Sequence, residues 1–232
     1  MIRASFAIRA RFGTLVCMRN AMRKLGWIVG AGVLCTMGAC DDGSEEGVRE
    51  AFDAYVSALE RHDGDALAAA IDPENVKHYD QVVEVARNGS KETVMRLPPH
   101  QRFTVVLLRA KFSKEKLDKL DGLGFVKMGM EQAPQDESGR AAKISLGPIK
   151  VSKPRASAEM VLNGEGTTLR FEFVEVEHKW LVNDECLDEW EDRLIRKLAT
   201  MLQTSEDVII IKMASGAVGK EVHMAIFDAP PK

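Results

Sequence analysis

Between Arg155 and Asn183 apolar and polar residues alternate regularly enough to predict three antiparallel strands. Ala156, Ala158, Met160 and Leu162 alternate with Ser157 and Glu159, and Leu169, Phe171 and Phe173 alternate with Arg170 and Glu172. A period of two puts one set on a buried face and the other in water. Asn163-Gly164 between the two runs is a strong hairpin signal, because both residues tolerate positive φ. After Phe173 the apolar phase slips to Val174 and Val176. A one-residue slip turns every later side chain over unless an extra residue is absorbed, so a bulge or sharp curl is expected there. Upstream, Ile144 and Leu146 shift phase to Ile149 and Val151 around Gly147-Pro148, a second expected bend. Val126, Met128 and Met130 alternate weakly and extend the strand region backwards, ahead of a polar loop over residues 131–140.

Helical spacing governs the flanks. Val48, Phe52, Tyr55 and Leu59 form one stripe, with Glu45, Glu46 and Glu50 at the positive amino end. His62-Asp63-Gly64-Asp65 stops that helix and starts a second over residues 66–71. Asp72-Pro73 caps a third carrying Val76, Tyr79, Val83 and Ala86, which Asn88-Gly89 ends. Phe103, Val106, Leu107 and Ala110 have helical spacing, although residues 104–108 also fit a buried strand. Ser113 caps a short charged helix to Leu120, closed by Gly122. Beyond Trp180, Leu187, Trp190, Leu194, Leu198 and Met201 form a stripe with Glu185, Asp188 and Glu189 in its first turn. Residues 204–207 resemble a capping box, predicting helix over 208–215 ended by Gly216; the β-branched run at 208–211 also fits a strand. A proline-containing tail follows from Phe227.

The chain has 232 residues, 45% hydrophobic and 29% charged, enough for one good core. Residues 1–39 carry six basic and no acidic residues, leaving 26 basic against 35 acidic beyond them. That acidic remainder argues against a nucleic-acid partner, which needs a basic stripe. The leader runs from a basic end at Arg23-Lys24, through an apolar stretch from Leu25 to about Met37, to Gly38-Ala39 before Cys40. The stretch is shorter than the roughly 20 residues of a spanning helix and has the order of an export signal. Met37-Gly38-Ala39-Cys40 resembles the lipobox of bacterial lipoprotein signals, with Met37 in the usual place of Leu. The resemblance implies lipid attachment at Cys40, cleavage before it and acylation of the new amino end. Two acyl chains at about 0.8 kcal/mol per buried CH₂ hold a protein to a membrane. The implied location is the bacterial cell envelope, facing the periplasm, with the membrane as a partner. Residues 40–47 read as a tether. Met18 and Met22 stand where a shorter leader would begin. Cys186 is then the one thiol left, so no intrachain disulfide is expected, and its neighbours Glu185 and Asp188 disfavour a thiolate.

The body, Val48 to Leu59, His62-Asp63-Gly64-Asp65-Ala66-Leu67, Ala156 to Val161, Phe171 to Val174 and Trp180-Leu181-Val182, resembles the nuclear transport factor 2-like superfamily. The resemblance implies an α+β cone over residues 48–184, with amino-terminal helices packed on a strongly curved antiparallel sheet. Residues 185–232 are then a carboxy-terminal helical extension and tail. Enzymes of that superfamily, such as ketosteroid isomerases and polyketide cyclases, keep an acid or base and a hydrogen-bond donor inside the cone. Other members are binding or oligomerisation modules.

Few residues here carry a chemical signature. His78-Tyr79-Asp80 looks like an acid/base cluster, but neighbouring helix residues point about 100° apart and do not converge. Tyr79 shares the apolar stripe and reads as core. His62, Asp63 and Asp65 could suggest a metal, yet a helix stop and the next cap account for them. His100, His178 and His223, at a helix start, a hairpin turn and a tail, read as surface residues. No phosphate-binding glycine loop, Gly-x-Ser-x-Gly, His-Glu-x-x-His or Cys-x-x-Cys occurs. The expectation is therefore a lipid-anchored envelope protein with a non-catalytic cone that binds a small apolar ligand or a protein partner, a homodimer included, and uses no cofactor or metal. Its rivals are an isomerase, cyclase or dehydratase working in the cone, and a structural module with the cavity filled by Met160, Phe171 and Phe173.

Overall fold

The computed structural model describes residues 44–131 and 144–228. The signal segment, Cys40, residues 41–43 of the tether, most of the expected loop at 131–140 and the prolines of the tail lie outside them, as does the side chain of Cys186.

The protein is α+β. Helix α1 (Ser44–Arg61) starts inside the stretch expected as tether and buries Val48, Phe52, Tyr55 and Ala58. His62, at φ 56°, ends it in the left-handed conformation. The Asp63 carboxylate then accepts the Ala66 N–H and caps α2 (Gly64–Ala70). Asp72 caps α3 (Pro73–Asn88), with Pro73 in the first turn where its missing N–H costs nothing. A short turn of helix, α4 (Lys91–Met95), leads to α5 (Pro99–Lys111).

Residues 104–108 are helical, and α5 is the buried axis of the helical layer. Val105, Val106, Leu107 and Leu108 are all buried in succession. A helix apolar on every side must be surrounded, and α5 is flanked by α3, by α8 (Glu185–Met201) and by α9 (Glu206–Val218). Its β-branched composition is overridden by that burial.

Two boundaries differ from expectation. After α6 (Lys114–Leu117), Gly122 opens a helix, α7 (Gly122–Glu131), where a strand was predicted. Phe125, Val126, Gly129 and Met130 are its buried residues, a helical spacing that packs on α2 and α3. Gly122 allows the approach, since a Cβ there would lie 2.3 Å from the Val76 carbonyl oxygen. At the other end, Ser205 caps α9, which passes through Gly216 and stops at Gly219 with φ 69°.

The sheet has four antiparallel strands in sequential order: β1 (Ile144–Ser152), β2 (Arg155–Leu162), β3 (Glu165–Val176) and β4 (Lys179–Asn183). Asn163-Gly164 forms the predicted hairpin turn, both residues at positive φ, and Glu177-His178 forms a second. The sheet is not strongly curled. The bulge expected after Phe173 is absent, because β3 and β4 pair without a break from Glu172 opposite Asn183 to Val176 opposite Lys179. Val174 and Val176 are only half buried, so neither face forces the register and the apolar phase simply fades. At Gly147-Pro148, where a bend is expected, the register shifts, and it shifts again opposite Met160. There the Thr167 hydroxyl donates to the Met160 carbonyl at 2.8 Å and accepts the Leu169 N–H at 3.1 Å, filling the interrupted ladder.

One continuous core joins the layers. Phe171 meets Phe52 edge-on at 5.2 Å and Tyr55 at 6.1 Å between ring centroids. Met160, Phe171 and Phe173 are fully buried, so the inner face of the sheet is filled by its own side chains and α1. Residues from 185 onward contribute Leu187, Ile195, Ile210 and Phe227 to the same core. Phe227, in a 3₁₀ turn (Met224–Phe227), is held where Arg109 reaches it. The Arg109 guanidinium donates to the carbonyls of Val85, Ala86, Gly89, Ile226 and Phe227, closing the end of α3 and the 3₁₀ turn together. Burial holds its pKa below the ordinary arginine value.

Candidate functional site

The pocket of chemical interest lies among the helices, next to the sheet, since its wall residue Tyr55 also packs on Phe171. Its walls come from α1, α2, α3, α5, α7, the β4–α8 junction and the first turns of α8. Tyr55, Leu67, Phe103 and Phe125 supply apolar wall; His78, His100, Gln101, Asp184, Asp188 and Glu191 supply polar groups. Among the described residues, no Lys or Arg lines it. The cavity volume is about 30 Å³, on the scale of one water molecule.

His100 is the central side chain. Sequence reasoning expected a surface histidine at a helix start, but it is only 9% exposed, because α8 covers the first turn of α5. Asp192 Oδ1 receives the His100 backbone N–H at 2.8 Å and lies 3.0 Å from ring Nδ1. An ionised carboxylate only accepts, so Nδ1 carries the proton and donates. Nε2 is then turned toward Asp188, whose Oδ2 is 3.7 Å away, and has no hydrogen-bond partner among the described residues. A buried nitrogen without a partner is costly, of the order of 1–3 kcal/mol.

Asp192 itself is under opposing influences. Burial pushes its carboxyl up, but hydrogen bonds from the His100 side chain and backbone, the nearby imidazole charge and Arg196 outweigh it. Its pKa is held below the ordinary carboxylate value. Asp188 and Asp192 stand four residues apart on the buried face of α8, which is how one helix offers two carboxylates to one imidazole.

His78 approaches from α3. Its ring lies 6.5 Å from that of His100, centroid to centroid, and its Nε2 is 2.9 Å from the side-chain nitrogen of Gln101. The three residues His78-Tyr79-Asp80 diverge as their helical positions require. Tyr79 donates to Asp184 Oδ2 at 2.9 Å, and Asp184 also accepts from the Asn75 amide. Asp80 accepts the Gly122 N–H on the opposite side.

The other histidines stay outside this pocket. His62 sits 3.2 Å from the Met130 carbonyl, Asp63 caps α2 and Asp65 pairs with Lys127, so those three have structural partners. His178 is an exposed turn residue and His223 is exposed beside Glu221. Searches of family models, curated proteins and solved structures found no match to this chain. The chemistry of the pocket therefore rests on its own residues.

Chemically, the arrangement offers an imidazole of defined tautomer, a second imidazole and a carboxylate facing one small space. No local motif marks it, because His78, His100 and Asp188 lie more than twenty residues apart at each step. The i, i+4 spacing of Asp188 and Asp192 is the one local signal; by sequence Asp188 reads as first-turn charge and Asp192 is left out.

Proposed function

We propose that the chain is a lipid-anchored cell-envelope protein whose α+β body binds a small polar ligand in the helical pocket at His78, His100 and Asp188. The observation that carries the binding half is the buried, unpartnered Nε2 of His100 facing that pocket. The anchoring half rests on the lipobox-like Met37-Gly38-Ala39-Cys40 after a basic and apolar leader. Among the described residues no helix is long and apolar enough to cross a membrane. A bulky apolar ligand on the inner sheet face is disfavoured, since Met160, Phe171 and Phe173 occupy it. A nuclear transport factor 2-like arrangement is supported by α1 lying against β1 and β4, and opposed by the weak curvature of the sheet.

A second reading, an enzyme of the isomerase, cyclase or dehydratase kind, is favoured by the Asp192–His100 pair. A carboxylate that holds Nδ1–H leaves Nε2 to act as a base. The two halves of the proposal separate experimentally. Cys40→Ser is expected to abolish acyl labelling and membrane fractionation; unchanged labelling ends the lipoprotein reading. Native mass spectrometry of the detergent-solubilised chain, compared with its denatured mass, is expected to show a small non-covalent ligand that His100→Gln loses. A ligand returned chemically altered after incubation supports the enzyme instead.

A further inference from the structure

We propose that His78, His100 and Asp188 form a binding site for a divalent transition-metal cation of the zinc class, with Asp192 as the residue that orients His100. This rests on the reading of the pocket as a ligand site and names the ligand's chemistry.

Three lines of structure converge on it. One ligating atom from each of His78, His100 and Asp188 lies within 4.8 Å of the other two. Ligands on a tetrahedral ion at about 2.0–2.1 Å stand roughly 3.4 Å apart, so closing onto an ion asks about an ångström of movement from each side chain. His100 Nε2, nine-tenths buried with its residue, has no hydrogen-bond partner and faces Asp188. The imidazole is already in the tautomer a metal requires, because Asp192 takes Nδ1–H. A carboxylate behind a histidine in this way fixes the ring and raises its basicity.

Charge and size agree. Asp184, Asp188 and Glu191 line the pocket and, among the described residues, no Lys or Arg does, so its described lining favours a cation over an anion. The space suits an ion and one water better than an organic molecule. Two imidazoles with one carboxylate select zinc-class ions over calcium or magnesium, which prefer all-oxygen shells. Three protein ligands leave a fourth position for water.

The test is equilibrium dialysis of the untagged, full-length chain in detergent, stripped with a chelator, against zinc chloride. Bound metal is counted by elemental analysis. Cobalt(II) serves as a second probe through its visible absorption. One ion per chain is expected, with a rise in melting temperature. His78→Ala, at a half-buried position, and Asp188→Asn are expected to weaken binding at least tenfold. Asp192→Asn is expected to weaken it about 10- to 100-fold while the three coordinating residues remain. Folding of each variant is checked by circular dichroism before dialysis. No stoichiometric binding to the folded wild-type chain overturns the proposal, as does wild-type affinity in folded His78→Ala and Asp188→Asn. An organic mass retained by native mass spectrometry in excess chelator, without metal binding, overturns the metal site and leaves the ligand pocket standing.

Discussion

Asp192 Oδ1 receives both N–H groups of His100, the backbone at 2.8 Å and ring Nδ1 at 3.0 Å, so one carboxylate oxygen of α8 fastens the first turn of α5. The link joins residues 92 positions apart and sets the imidazole's tautomer in the same stroke.

Removing that oxygen has a measurable cost. Asp192→Ala is expected to lower stability by about 2 kcal/mol in urea unfolding, as hydrogen bonds to a charged group contribute. The pH dependence has a definite sign. A folded-state pKa below the ordinary 3.8 contributes stability that is full above that value and disappears as pH falls through the folded one. Asp192→Asn should flatten that acid limb in chelator-treated protein. Identical acid limbs in the two proteins would remove Asp192 from the account.

Arg109 has no replacement of equal reach. Its fork serves five carbonyls from two segments, and an ammonium is a point donor. Arg109→Met is expected to cost roughly 3 kcal/mol, and Arg109→Lys only somewhat less. Hydrogen exchange should accelerate first in residues 222–227. Protection there equal to wild type would show that Phe227 alone holds the turn.

Gly122 tests the packing of α7 on α3. An alanine Cβ would meet the Val76 carbonyl at 2.3 Å and the Asp80 nitrogen at 2.8 Å, both backbone atoms that cannot swing aside. Gly122→Ala is expected to destabilise by about 1–3 kcal/mol. Gly216→Ala, with nothing within 4 Å, should be neutral or mildly stabilising. Equal melting temperatures for the two variants would contradict this packing.

How much was legible in the sequence follows from how far each signal reaches. The Asn163-Gly164 hairpin and the Asp72-Pro73 helix start depend on adjacent residues, and both form where predicted. Residues 126–130 are helical rather than extended, because Val126, Met128 and Met130 satisfy period two as well as they share a helix. Only the neighbouring α2 and α3 decide between these. The curl after Phe173 failed because a phase slip forces a bulge only where both faces are strongly buried. The site was the least legible part. Its residues come from α3, α5 and α8, and His100 follows two prolines at a helix start, a position that looks solvated until α8 is laid over it.

The seam at Arg109 also bears on the order in which the protein comes into being. Phe227 is almost wholly enclosed, and the carbonyls of residues 226 and 227 complete the partners of a cation in the last turn of α5. Until residue 227 has emerged from the ribosome, that guanidinium is short of acceptors and the core has a gap beside it. The growing chain thus cannot complete this part of its core before residues 226 and 227 are free to fold back onto α5.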